Sequence, residues 1–170
     1  MIRFSLRFRV RGFTLIELLV TIAVMVLIIA MAAPFTIDWM NQSRTQQAYA
    51  TLLQGFNQAK ALALRNPCGA PNIVGTHASS LQAKIDGPSI VVSVLAQENS
   101  DCSYLASSAR PNPQWSAHFP PGVVLILGGV TLTEGAVFEI KLDNRGIPFS
   151  DTSFIVRQGG IQNDETGNLY

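Results

Sequence analysis

A single carboxylate, Glu17, sits near the start of an almost wholly apolar run that extends from Leu15 to Ala33. About 20 apolar residues suffice to cross a bilayer as a helix. An ionised side chain held at the centre of such a helix costs about 2.5 kcal/mol or more, so an acid kept there is functional by default and needs a partner. The run therefore constrains the chain twice. It commits the first part of the sequence to a long membrane-compatible helix, and it puts into that helix a charge whose neutralising group must be supplied.

Two ordinary explanations of the run are available. Arg3, Arg7, Arg9 and Arg11 make a basic front end, Leu18 to Ile29 an apolar core, and Ala30-Met31-Ala32 an A-x-A pattern, which together match a cleaved secretory signal. Such a signal does not call for an acid at the head of its apolar core. A plain single-span anchor explains the length of the run but not Glu17.

Gly12-Phe13-Thr14-Leu15-Ile16-Glu17 resembles the processing and assembly signature of type IV prepilins and type II secretion pseudopilins. The resemblance implies that a membrane-embedded prepilin peptidase cuts between Gly12 and Phe13 and methylates the new amine on Phe13. It implies that Glu17, fifth after the cut, pairs in a filament with the terminal amine of a neighbouring subunit. Pro34 falls where that family commonly carries a helix-kinking proline. The expected organisation is a leader over 1–12, a transmembrane and assembly helix over 13–33, an amphipathic continuation over 34–65 and a β-rich head over 66–170.

Charge and cysteine usage point to an exported protein. The chain has 170 residues, room for one globular domain once leader and span are set aside. Four of its twelve Lys and Arg precede Gly12. The remaining eight face eleven Asp and Glu, a side-chain balance of −3, so composition does not make the mature part a binder of polyanions. The basic leader follows the positive-inside rule, with a cytoplasmic amino terminus and a head on the periplasmic side of the inner membrane. The two cysteines, Cys68 and Cys102, lie beyond the span without the C-x-x-C spacing of a redox or zinc motif. In an oxidising compartment they can form one disulfide closing a loop of about 35 residues, a contribution of roughly 3 to 4 kcal/mol; two unpaired thiols are the alternative.

Beyond the span, Ile37, Met40, Ala48, Leu52, Phe56, Ala59 and Ala63 recur mostly in steps of three or four, a helical stripe. The helix is expected to end before Asn66-Pro67, because the residue ahead of proline is steered out of the helical region. A helix from Thr14 to Arg65 has a contour of about 75 Å at 1.5 Å per residue, with Pro34 kinking or locally opening it. Strands are expected at Ser89 to Ala96, Val123 to Leu127, Val130 to Leu132, Ala136 to Leu142 and Ser153 to Arg157. Phe138, Ile140 and Leu142 alternate with Glu139 and Lys141, and Asp143-Asn144-Arg145-Gly146 carries turn chemistry. Cys68 to Gly87 and Gln97 to Pro113 read as loops.

The helix phrase Leu53, Phe56, Ala59, Lys60, Ala63 and Arg65, with a Val137 to Pro148 hairpin ahead of Phe154-Ile155-Val156, resembles the GspH/FimT group of minor pilins and pseudopilins. That resemblance implies an α+β, pilin-like fold: one long N-terminal helix packed on a head of mainly antiparallel β-sheets. Its implied partners are other pilins or pseudopilins, the prepilin peptidase, the inner-membrane assembly platform and, before assembly, the membrane itself. Three roles are carried forward: a minor pilin that initiates or primes a type IV pilus, a minor pseudopilin at the tip of a type II secretion pseudopilus, and a DNA-binding minor pilin of natural transformation.

For the last, Arg145 and Arg157 are the candidate contacts, joined by Lys141 and Arg110; a DNA site needs several such cations on one surface. No catalytic residue, cofactor or metal is expected. His77 and His118 lack a neighbouring nucleophile motif. The groups Asp143, Asn144, Asp151 and Asn163, Asp164, Glu165 lack the spacing of an EF-hand loop.

Overall fold

The computed structural model describes residues 12–71, 73, 75–97, 113–150, 152–158 and 164–169, without the side chains of 32–35. The leader ahead of Gly12, Cys102, Arg110, Asp151, Asn163 and most of the Gln97 to Pro113 segment lie outside the described residues. The chain divides into two units, Met1–Asp38 and Trp39–Tyr170.

Helix α1, Leu15–Arg65, contains 51 residues and is assigned as helix through Pro34, so the proline does not end it. Within the first unit the described apolar side chains of the helix are exposed, Leu15 to 82 % and Ile28 to 62 %. An 18-residue window reaches a mean hydropathy of 2.8 with none of it buried. A helix that is apolar all round and covered by nothing is matched to lipid or to other helices rather than to water.

The end of α1 is specified locally. Asn66 takes a positive φ of 40°, one of the few non-glycine residues suited to the left-handed region. Its N–H donates to the carbonyls of Leu62 and Ala63 at 3.0 and 3.1 Å. Its side chain donates to Ala70 O at 2.9 Å and accepts from Ala70 N at 2.7 Å, and Pro67 follows. The expected stop before Asn66-Pro67 is therefore present, with an asparagine cap.

The second unit holds two four-stranded antiparallel sheets. The strands are β1 Ser79–Asp86, β2 Ser89–Ala96, β3 Trp115–His118, β4 Val123–Leu127, β5 Val130–Thr131, β6 Val137–Leu142, β7 Ser153–Gln158 and β8 Glu165–Asn168. The first sheet runs β3-β2-β1-β6 and the second β5-β4-β7-β8. This is the expected α+β architecture of a long helix on antiparallel sheets. One core joins all three surfaces: Leu52, Phe56, Ala59 and Ala63 from α1, Leu81, Val92, Val94, Ile140 and Leu142 from the first sheet, and Leu125, Phe154 and Val156 from the second. Tyr49 and Phe154 rings meet with centroids 5.4 Å apart.

Three strands were absent from the sequence expectations. β1 lies inside the segment read as a loop, yet it is the strand between β2 and β6. Its Ser79, Ser80, Gln82 and Lys84 hide the apolar signal. Ser79 is fully buried, with its hydroxyl donating to Ala59 O at 2.8 Å, so a small polar residue sits where Ala59 and Ala63 bring α1 close. The short strands β3 and β8 also went unread.

The Val137 to Pro148 hairpin needs correction. The turn forms, with Gly146 N donating to Asp143 O at 3.0 Å and Asp143 N to Ile147 O at 2.9 Å. The chain beyond it returns along the free edge of β6 for one isolated bridge, Leu142 with Pro148, with Phe149 N donating to Lys141 O at 3.0 Å, and forms no second strand there. β7 then joins the other sheet. The helical stripe is likewise shorter than expected: Ala48, Leu52, Phe56, Ala59 and Ala63 are buried, whereas Ile37 and Met40 are exposed.

Candidate functional site

The residues singled out at the N-terminus stand together at the first turn of α1. Gly12, Phe13 and Thr14 precede the helix and Leu15 begins it. Leu18 N donates to Thr14 O at 3.2 Å, which makes Thr14 the N-cap. Glu17 N donates to Thr14 Oγ1 at 3.3 Å, and Glu17 Oε2 accepts from both Thr14 N and Thr14 Oγ1 at 3.5 Å. This reciprocal Thr-x-x-Glu arrangement is a capping box, loose in its distances but complete in its partners.

The cap changes what Glu17 is in a lone subunit. The acid whose partner was expected to be supplied from elsewhere already neutralises part of the exposed N–H charge at its own helix start, where a carboxylate is also favoured by the helix dipole. Oε1, by contrast, has no hydrogen bond among the described residues. One oxygen can therefore hold the cap while the other faces outward for an incoming cation. Thr14 is the functional residue that sequence reasoning missed; the Thr-x-x-Glu spacing ahead of an apolar run was the signal that could have found it.

Nothing in the described fold requires glycine at 12. A Cβ built there meets no atom within 4 Å. Phe13 is 83 % exposed, so the bond between these two residues is open to an enzyme. Pro34 lies within the helix assignment, and its side chain is outside the described residues.

The head candidates do not gather into one site. Arg157, on β7, donates to Asp164 with Nε at 2.7 Å and Nη2 at 2.5 Å, a two-pronged pair. That contact raises the Arg157 pKa and lowers that of Asp164. Arg145 occupies the turn after β6 and has no ion pair among the described residues. Lys141 pairs with Glu139 at 3.4 Å. Burial works to raise the Glu139 carboxyl, but hydrogen bonds from Gln82 and Ser80 and the Lys141 charge outweigh it and hold the pKa below its ordinary value.

The remaining polar candidates have local roles. His77 precedes β1, and burial, reinforced by Lys141, lowers its pKa against an opposing pull from Glu139. His118 ends β3. Asp143 Oδ1 accepts from Arg145 N at 2.9 Å and Ile147 N at 2.8 Å, so this carboxylate holds its own turn. Cys68 Sγ lies 3.0 Å from Gln97 O, which brings it to within five positions in sequence of Cys102. Among the described residues, no three His, Cys, Asp or Glu side chains cluster as a metal site.

The prokaryotic N-terminal methylation motif matches residues 7–33 of the chain, a span that contains Gly12, Phe13, the Thr14–Glu17 cap and the apolar run. No curated protein and no solved structure matches it.

Proposed function

From a chain that is type IV pilin-like in its N-terminal motif and in its α+β architecture, we propose a minor pilin, processed by prepilin peptidase and built into a type IV pilus, where it helps initiate or prime assembly. The observation that carries this reading is the coincidence of the methylation motif with a capped, uncovered apolar helix start. The role is structural. Processing removes the leader and leaves Phe13 with a free amine one residue ahead of the cap. In the filament that amine meets the outward oxygen of a neighbour's Glu17, while the faces from Leu15 to Ile29 exchange lipid for helix contacts.

Helix packing supplies most of the cohesion in this mechanism. The ion pair fixes axial register, because a charge inside an apolar bundle is tolerated only where its partner is. Before assembly the same helix anchors the subunit in the inner membrane with the head on the periplasmic side.

A minor pseudopilin of type II secretion would use the same N-terminal device. Co-purification of the full chain separates the two: recovery with pilus minor subunits supports the first role and recovery with secretion-complex subunits the second. DNA binding has less support, since Arg157 is committed to Asp164. Salt-sensitive DNA binding lost in Arg145→Ala and Arg157→Ala would reverse that order.

A further inference from the structure

Two features of the second unit have no role in the N-terminal device. The first is a groove of ≈ 530 Å³ between the last turns of α1 and the turn after β6, lined by Lys60, Leu64, Arg145, Ile147, Pro148 and Leu169 among others. Its apolar walls are open, with Leu64 64 % and Ile147 55 % exposed. Its two cations have no carboxylate partner among the described residues. Lys60 Nζ rests 5.0 Å above the Phe56 ring, and the nearby Asp143 carboxylate is engaged by backbone N–H groups of its own turn.

The second feature is the turn between β5 and β6. Ala136 N donates to Thr133 O at 3.0 Å, and Gly135 has φ 80°, which makes Thr133–Ala136 a type II turn with Glu134 at its outer corner. Exposed Val130 and Val137 flank it at 61 % and 55 %. Glu134 has no ion pair among the described residues. The turn is thus an apolar knob whose acid has no ion pair among the described residues, whereas the groove is an apolar slot whose two cations have no carboxylate partner among them.

β6 connects the two. The knob precedes Val137 and the groove turn follows Leu142, so the features lie at opposite ends of this strand of six residues, about 20 Å apart at ~3.4 Å per residue. A surface and its complement at opposite ends of one element let the knob of one copy seat in the groove of another.

We propose that the groove takes the Glu134 turn of a second copy of this chain, with Glu134 between Lys60 and Arg145 and Val130 and Val137 against Leu64 and Ile147. This rests on the pilin-like reading, in which packed membrane helices hold heads side by side. A contact this small is weak alone, and gains strength from the effective concentration that a shared helix bundle provides.

The test uses the full chain in detergent micelles, with a benzophenone amino acid at Ile147 and a mixture of light and nitrogen-15 copies. Irradiation should give mixed-isotope cross-links from position 147 to residues 130–137. Glu134→Lys alone and Arg145→Glu alone should each lose them. Mixing these two variants should restore them, since one retains an intact knob and the other an intact groove; restoration also shows that both single variants are folded. The proposal is overturned by cross-links that persist in the single variants, by their failure to return in the mixture, by cross-links to another part of the head or only within one copy, or by none at all. Cleavage after Gly12 reports on the pilin-like reading separately, so failure of one is not failure of the other.

Discussion

Thr14 and Glu17 cap the first turn of α1 reciprocally: the Glu17 N–H reaches Thr14 Oγ1 at 3.3 Å while Glu17 Oε2 takes the Thr14 N–H at 3.5 Å. The carboxylate thus serves the helix start of its own subunit, besides the proposed pairing with a neighbour's amine. Two substitutions separate these duties. Glu17→Gln keeps a side chain able to complete the capping box but removes the charge, whereas Glu17→Ala removes both. Both are expected to leave cleavage after Gly12 largely intact and to lower filament incorporation severalfold, as scored by immunoblot of sheared filaments. Normal incorporation of the glutamine variant would assign the role to capping and not to the ion pair.

Gly55 is a helix glycine that alanine would ordinarily improve by about 1 kcal/mol. A Cβ there falls 2.8 Å from the Trp115 ring and 3.1 Å from Leu81 Cδ1, and such overpacking costs about 1 to 3 kcal/mol. The clash should win. Gly55→Ala is expected to lower stability by roughly 1 kcal/mol in a urea titration, and a rise would mean that Trp115, on the edge strand β3, swings aside freely.

His77 is expected to make stability depend on pH. Its pKa in the folded chain lies below the ordinary 6.5, chiefly through burial. The unfolded state therefore takes up the proton first on acidification. The stabilising contribution is complete above about pH 6.5 and is lost as pH falls through the folded value. Urea midpoints measured between pH 7 and pH 5 should fall, and His77→Gln should flatten that slope; an equal slope in the variant would leave the dependence to other groups.

The pairing of Cys68 with Cys102 is a proposal that the position of Cys68 beside Gln97 supports. Non-reducing mass spectrometry should find the two tryptic peptides linked. Cys68→Ser should cost roughly 3 to 4 kcal/mol if the loop-entropy estimate applies. Recovery of both peptides with alkylated thiols from an unreduced sample would contradict the bond.

What the sequence made legible follows from the strength of each local signal. The apolar run and the stripe of Ala48, Leu52, Phe56, Ala59 and Ala63 announced α1, and Asn66-Pro67 its end. β2, β4 and β7 are rich in Val and Ile and were equally plain. β1 was not, because Ser79 is buried by tertiary contact with the helix and not by its own chemistry, and Ser80, Gln82 and Lys84 add no apolar signal. The Gly87-Pro88 turn was its one available sign: Gly87 has φ 60°, and Asp86 faces Ser89 across a two-residue connection. At the candidate site Gly12, Phe13 and Glu17 were recognisable from their spacing. Thr14 stood inside the same motif, and its role was legible only through the Thr-x-x-Glu spacing of a capping box ahead of the apolar run. The groove at Arg145 and the turn at Glu134 depend on which ends of β6 they occupy, and no local pattern encodes that.

The central claim is that residues 1–12 are a leader removed by prepilin peptidase, leaving Phe13 to meet a neighbour's Glu17. Co-expression of the full chain with such a peptidase, followed by mass spectrometry of the mature N-terminus, tests it most directly. The account predicts a chain beginning at N-methylated Phe13, and an uncleaved chain from Gly12→Val. An N-terminus at Ala33, after the Ala30-Met31-Ala32 pattern, or wild-type processing in Gly12→Val, would contradict it.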